Sequence, residues 1–466
     1  MNILLVNPPN SGKNIIVEKY HINVIRDTFR GEPLALEVLA GSLPTDGVDI
    51  FDMKADDTPY RQKLEEFAPE LVGITCMTCE ANTALTLLQA TKAYNSRIIT
   101  VVGGIHATND PEFFNRPYVD YVVIGLGAKT FADLVGALKR GERPQTLPGI
   151  GVRTDSTFQI TPKVFTRADL AEEALPNRNL VKKYRGTYRI GGTNIVVDFV
   201  DTAYGCTHRC HFCGLWKMTH GKYLAKTPDI VVRDIERCDA LFVRLVDANT
   251  FGDLNRAKEL ASKIARKKLR KVFIVDARAE TIANHPELIE LWSQIGLKIV
   301  VIGFEEIHNN HLQAFHKKST VELHTQAIKI LHQHGVRIIG DFIVSPEYEE
   351  SDFERLADYV TAQHIHFPGF SVLTPLPGTP LYEEMKSQVT LTDLAYYTLT
   401  NAVVPTKLPE KSFYEHVGAL YQRFYRDSRS KQLLLKVFAR ESVIKVDYLT
   451  RRYLRQLVWW KKDTRL

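Results

Sequence analysis

Cysteine, methionine and tryptophan are scarce in this chain, at 6, 5 and 4 of 466 residues. So few cysteines in so long a chain exclude a disulfide scaffold, and in a reducing compartment clustered thiols more often bind metal or carry out redox work. No run approaches the roughly 18 apolar residues that argue for a membrane span. The opening MNILLVNPP lacks the charged, apolar and small-residue succession of a secretory signal. A cytoplasmic protein is expected. The remaining composition, 44% hydrophobic and 24% charged, is that of an ordinary globular protein with material for two or three cores.

What is present is unevenly placed. Half of the cysteines, Cys206, Cys210 and Cys213, fall inside AYGCTHRCHFCGLWK (203 to 217). The positive charge is concentrated at the end, where residues 413–466 hold 13 Lys or Arg against 5 Asp or Glu, leaving the rest slightly acidic. This tail is helical in pattern and mixes arginine with aromatics, including Trp459 and Trp460 beside Lys461 and Lys462. Such a pattern suits a membrane-surface element or a helix packed on a domain. Nucleic acid is not expected as a partner, since no recognised module accompanies the charge.

Two alternating series of apolar runs and helical patterns follow one another. The first has runs at 2–6, 48–53, 70–75, 97–104 and 119–125, as expected of a doubly wound parallel sheet with ligands beyond its carboxyl strand ends. Gly73, Gly103, Gly104, Gly125 and Gly127 stand at those ends, where a backbone without side chains admits a large ligand. Residues 154 to about 194 lose periodicity. The second series has runs at 194–202, 240–247, 271–278, 298–305, 336–344 and 366–373, which fit a partial or complete parallel barrel. The cysteines follow its first strand, on the face where such barrels carry their sites.

Three thiolates close together can hold an iron–sulfur cluster with one iron left open, or join a histidine such as His208 or His211 around zinc. The spacing does not repeat as paired zinc knuckles do, and it favours the cluster. CxxxCxxC with an aromatic before the last cysteine, at the end of a first barrel strand, resembles the radical S-adenosylmethionine (SAM) superfamily. The segments at 303–322, 335–350 and 373–384 are similar to those superfamily members that carry an N-terminal cobalamin-binding domain. NPP (7–9), PLALEVLAGSL (33–43), PELVGIT (69–75), VVGGIHAT (101–108) and DYVVIG (120–125) match that domain in order.

The resemblance implies an α/β protein with a Rossmann-like doubly wound cobalamin domain (1–150), a linker (151–193), a partial (β/α)6 TIM-type radical SAM barrel (194–390) and a small basic, aromatic helical region (391–466). It implies a [4Fe–4S] cluster on Cys206, Cys210 and Cys213, with SAM on its open iron and Phe212 beside it. It carries Pro8, Thr75, Gly103, Gly104, Gly125 and Gly127 to the cobalamin side. The chain departs from the family where Gly125, Leu126, Gly127 and Ala128 replace a GEGE sequence, which removes polar partners for the corrinoid. It also lacks the DxHxxG pattern that supplies a histidine to cobalt in some relatives.

Other residues carry expectations of their own. Arg278 and Glu305, at barrel strand ends, suit the carboxylate and the ribose or amine of SAM, and Asp247 and Asn249 stand beside them. His106 could meet the corrin edge or the lower face of cobalt, or be a hydrogen-bonded loop histidine. Cys76 and Cys79 read as core or pocket wall rather than a redox pair, Cys238 as structural, and Pro375, Pro377 and Gly378 as loop-fixing.

The expected function is that of a class B radical SAM methyltransferase: SAM gives a 5′-deoxyadenosyl radical, and the resulting substrate radical takes a methyl group from methylcobalamin. The alternatives are a cobalamin-dependent cyclase or oxidoreductase of the tetrapyrrole ring-forming type, and a zinc-stabilised cobalamin or metabolite sensor. An external electron donor such as flavodoxin or ferredoxin is expected. So is a small-molecule or lipid-like substrate, such as a hopanoid or a chlorophyll-type pigment, with peripheral membrane contact through the tail.

Overall fold

A computed structural model describes residues 1–22, 29–154, 157–170, 174–190 and 195–425. The tail expectation falls mainly beyond 425 and there lies outside the described residues. The N-terminal sheet begins with strands β1 (Asn2–Asn7), β2 (Gly47–Asp52), β3 (Leu71–Thr75), β4 (Ile99–Gly103) and β5 (Tyr121–Val123). Their order is β2-β1-β3-β4-β5, and every pair is parallel. Such strands are covered on both faces, which is why they read as continuous apolar runs; Ile3, Leu4, Leu5 and Val6 are all buried.

The segment expected as a linker over 151–193 does more than connect. The strands β6 (Ile150–Thr154) and β7 (Thr157–Ile160) form a hairpin that extends the N-terminal sheet antiparallel past β5. Further on, Arg178 ties three regions together. Its Nη1 lies 2.6 Å from Glu32 and its Nη2 3.1 Å from Asp234, while Arg185 reaches Glu32 at 2.9 Å and pairs with Asp198. All three of these carboxylates are buried, and desolvation pushes those of Glu32 and Asp234 upward against the pull of Arg178.

The barrel consists of β8 (Val197–Val200), β9 (Phe242–Leu245), β10 (Val272–Asp276), β11 (Leu297–Glu305), β12 (Arg337–Val344) and β13 (Phe367–Val372). All five neighbouring pairs are parallel, and β8 is not paired with β13, so the six-stranded barrel stays open. An exposed edge strand is a template for unwanted pairing. Here the helix Glu410–Tyr425 covers β13: Tyr421 Oη donates to Phe370 O at 2.8 Å and accepts from Phe370 N at 3.2 Å, and Tyr425 Oη donates to Pro368 O at 2.8 Å.

The chain after the barrel returns to the N-terminal half before that helix. Leu394, Tyr397, Val403 and Val404 join the core that contains Leu4, Val72 and Val102. Lys13 N donates to Ala395 O at 2.7 Å, and Asn401 Oδ1 accepts from Ile15 N at 2.8 Å. The two halves therefore meet across the carboxyl ends of both sheets.

Candidate active site

The loop that leaves β8 is fixed before it reaches the first cysteine. Asp247, just past β9, accepts from Thr202 N at 2.7 Å and Ala203 N at 2.8 Å with one oxygen, and from Thr202 Oγ1 at 2.6 Å with the other. Burial pushes its carboxyl up to about 6, opposed by those three hydrogen bonds. Arg256 Nη2 donates to Thr202 O at 2.8 Å, and Lys226 pairs with Asp201 at 3.0 Å. The cysteine loop is also held from outside, with His211 N donating to Phe315 O at 3.0 Å and Leu381 N to His211 O at 3.2 Å. Phe212 packs edge-on to Phe315 with ring centres 5.4 Å apart.

Cys210 is buried, and Cys206 and Cys213 are half-buried. Among the described residues no three His, Cys, Asp or Glu side chains converge on a single metal ion. A closed zinc site requires four donors around one ion. A cluster asks less of the protein, because each cysteine meets a different iron. Burial pushes the Cys213 thiol up to about 11, so its thiolate form needs a cationic partner.

All three cysteines line a cleft of about 800 Å³ between the barrel mouth and the N-terminal strand ends. Its N-terminal wall includes Asn10, Lys13, Met77, Cys79 and Asn109. Glu305 closes β11 at a register shift with φ +66°, a backbone conformation unusual for this residue type and most often kept at functional sites. Its carboxylate is 2.6 Å from Lys317 Nζ. Arg278 is buried and binds Glu280 and the Lys317 carbonyl. Arg244 pairs with Asp276 at 2.9 Å. Asp341 opens onto the cleft while protein surrounds it, and burial, with Glu305 and Asp276 nearby, pushes its carboxyl up to about 7.

The cleft is also apolar at its rim. Among the described residues seven large apolar side chains are exposed, and four of them, Met77, Leu215, Val246 and Leu399, line this one cleft.

A second cavity of about 130 Å³ lies within the N-terminal half, lined by Gly73, Thr75, Gly103, Gly104, Gly125 and Gly127 among others. At Gly103 and Gly127 an added Cβ would meet its nearest neighbours at 3.6 and 3.5 Å, so side chains there would occupy the cavity. Gly104 and Gly125 have φ of +101° and +72°, and a Cβ on Gly125 would strike the Phe165 ring. An acid is present, as Asp169, but Lys163 holds it at 2.7 Å. Glycines and apolar side chains such as Leu39 and Phe131 make up most of the lining, with hydroxyls only at Thr75 and Tyr204, and this cradle fits an apolar, planar part of a corrinoid.

Residues 20–135 match the model of the B12 binding domain, and residues 200–360 match that of the Radical SAM superfamily. The chain belongs to the B12-binding radical SAM enzymes. This radical SAM protein is 26% identical to hopanoid C-3 methylase of Methylococcus capsulatus, over 85% of its own length and 77% of that protein. It is 24% identical to the anaerobic magnesium-protoporphyrin IX monomethyl ester cyclase of Rubrivivax gelatinosus, over 91% and 77% of the two chains. The solved structure of the radical SAM methyltransferase TsrM from Kitasatospora setae shares the fold, with a TM-score of 0.66 at 19% identity, covering 83% of this chain and 76% of that one.

Several expected residues of this radical SAM protein stand elsewhere than expected. His106 is fully buried, edge-on to Phe113 and Phe114 at 5.1 and 5.7 Å, with neither ring nitrogen hydrogen-bonded. Burial pushes it down to about 4, which keeps the ring neutral, and it lines neither cavity. In the short helix Ile105–Asn109, it is Ile105 and Asn109, four apart, that face the cleft. Pro8 is buried and lines neither cavity either. Both oxygens of Asp247 are already occupied by the loop, so it positions the cysteines even though it borders the cleft. Asn249 lines a separate cavity of about 240 Å³ behind Cys206, with its Oδ1 unpaired.

Cys79 lines the cleft and Cys76 is buried, and burial raises both thiols. Raised thiols oppose the redox reading. Gly378 keeps φ +79° and packs so closely on Asn109 that a Cβ would lie 2.1 Å from its carbonyl oxygen. Arg244, Asp276 and Asp341 escaped the sequence reading because single charged residues inside apolar strands carry no spacing signal, and Lys317 because it stands in the loop after the helix Asn309–Ala314.

Proposed function

We propose that this protein is a cobalamin-dependent radical SAM methyltransferase, moving a methyl group from SAM by way of cobalamin to an unactivated carbon. The observation that carries the reading is the single cleft shared by the three cysteines and the N-terminal strand-end loops. Cys206, Cys210 and Cys213 would hold the [4Fe–4S] cluster, Arg278, Glu305 and Lys317 would meet SAM, and the cradle of Thr75, Gly103, Gly104, Gly125 and Gly127 would take cobalamin. When bound, these groups supply hydrogen-atom abstraction and the transferable methyl group.

The chain's own contribution is placement and exclusion of water. Asp247 and Arg256 fix the entry to the cysteine loop, the Glu305–Lys317 pair presents a carboxylate edge at the mouth, and the apolar rim displaces solvent from the reacting carbon. An apolar or lipid-like body suits that rim, and the name of the hopanoid C-3 methylase relative agrees. The basic aromatic tail supports contact with a membrane surface. Among the described residues no helix is long and apolar enough to cross a membrane. An external one-electron donor, of the flavodoxin or ferredoxin type, completes the system.

The test is anaerobic reconstitution with iron, sulfide, cobalamin, a reductant and cell extract, counting 5′-deoxyadenosine and S-adenosylhomocysteine as SAM is consumed. Methyl transfer gives both products in step, with label from the SAM methyl group in an extract component. Deoxyadenosine alone would sink the reading and favour a cyclase like the Rubrivivax relative.

A further inference from the structure

We propose that Asp341 is the specificity-determining residue of the barrel, accepting a hydrogen bond from a hydroxyl or ammonium group at one end of an otherwise apolar substrate. This role deepens the methyltransferase reading and rests on it for the reaction that the bound molecule undergoes.

The geometry begins with register. Asp341 on β12 lies opposite Gly303 on β11 and Gly369 on β13. The glycines make room for two carboxylates: a Cβ at Gly369 would lie 2.4 Å from Asp341 Oδ1, and one at Gly303 2.2 Å from Glu305 Oε1, which fills the space on that side. A register shift separates Gly303 from Glu305, which pairs with Phe342, so Asp341 stands beside the strand-end groups suited to SAM.

Charge then singles it out. The other ionisable groups of the lumen have partners: Arg244 with Asp276 at 2.9 Å, Lys317 with Glu305 at 2.6 Å, and Arg278 with Glu280. Asp341 has no hydrogen-bond or ion-pair partner among the described residues; Glu305 and Asp276 crowd it with like charge, which the more weakly felt Arg244 and Lys317 offset only in part. The Asp341 carboxylate is open to the solvent of the cleft, so a donor on a bound molecule can take the place of water there. Above it the cleft turns apolar at Met77, Leu215, Val246 and Leu399. A molecule that satisfies both ends carries its donor inward and its hydrocarbon outward.

The test uses full-length chain reconstituted with iron, sulfide and cobalamin, together with cell extract and SAM labelled in its methyl group. The labelled product is expected to carry an O–H or N–H group. With that substrate purified, Asp341→Leu is expected to raise KM at least tenfold, and Asp341→Asn less, because the amide oxygen still accepts. Iron content and the response of the cluster's EPR signal to SAM check that each variant is folded. An unchanged KM in Asp341→Leu, or a labelled product without a donor group, would overturn the assignment. A lost EPR response to SAM in a variant with full iron would also overturn it, by placing Asp341 at SAM. Should the wild-type chain consume SAM and transfer no label, the methyltransferase reading fails separately; Asp341 is then judged by the same KM comparison on extract-stimulated SAM cleavage.

Discussion

At the scale of single residues, the carboxyl of Asp341 gives a pH signature independent of turnover. Its value near 7 in the folded chain stands well above that of an unfolded aspartate, about 3.9. The folded state therefore binds the proton more tightly, so the stability linked to this group is complete below about pH 4 and is lost as pH rises through about 7. Asp341→Asn abolishes that titration. Because the side chain opens onto solvent in the cleft, the screened effect is about 1 kcal/mol. Thermal unfolding should show the variant gaining on the wild type by about 1 °C more at pH 8 than at pH 5; an equal difference at both would remove Asp341 as the titrating group. The same residue shows where sequence reading stops. Cys206, Cys210 and Cys213 could be singled out because their spacing is written in one stretch. Asp341 takes its meaning from Gly303 and Gly369 on two other strands, and His106 lost its expected role because the turn of a five-residue helix aimed it at Phe113 and Phe114.

At the scale of elements, the strands were the most legible part. The run 298–305 became Leu297–Glu305 and 336–344 became Arg337–Val344, because parallel strands covered on both faces must be apolar nearly throughout. The stretch 151–193 was illegible for the opposite reason: its hairpin strand Thr157–Ile160 is mostly exposed, and its remaining order comes from ion pairs that have no period. Arg178 is the centre of that order, contacting Glu32 from the N-terminal half and Asp234 from the barrel helix Pro228–Arg237. Removing one partner of a buried pair leaves the other charge without compensation. Arg178→Met should therefore destabilise the chain by about 3–5 kcal/mol. Arg178→Lys should recover only part of this, since one ammonium cannot reproduce the fork that meets two carboxylates. Urea unfolding of the three proteins checks both statements, and a loss below about 1 kcal/mol for Arg178→Met would show that the network is not what joins the halves.

At the scale of the whole molecule, two sheets present their carboxyl ends to one another, and the segment 391–404 returns across the gap to hold them so. The glycine-lined cavity and the cleft that holds the cysteine loop share no lining residue, so the two should be separable by substitution. Gly103 closes β4 and lines the cavity, and a Cβ there meets nothing nearer than 3.6 Å, so Gly103→Leu puts its branched chain into the open space without a backbone clash. The variant is expected to keep its iron and its SAM cleavage while cobalamin bound after reconstitution, read from its visible absorbance, falls at least tenfold. Methyl transfer should fall with the cobalamin. Gly103→Ala adds only the Cβ and should bind cobalamin more nearly as the wild type does, which separates filling of the cavity from damage to the strand. If Gly103→Leu keeps its cobalamin, the cradle is not the corrinoid site. If it loses iron together with cobalamin, the two halves are coupled more tightly than a shared cleft requires, and the cysteine loop depends on the N-terminal sheet for its shape.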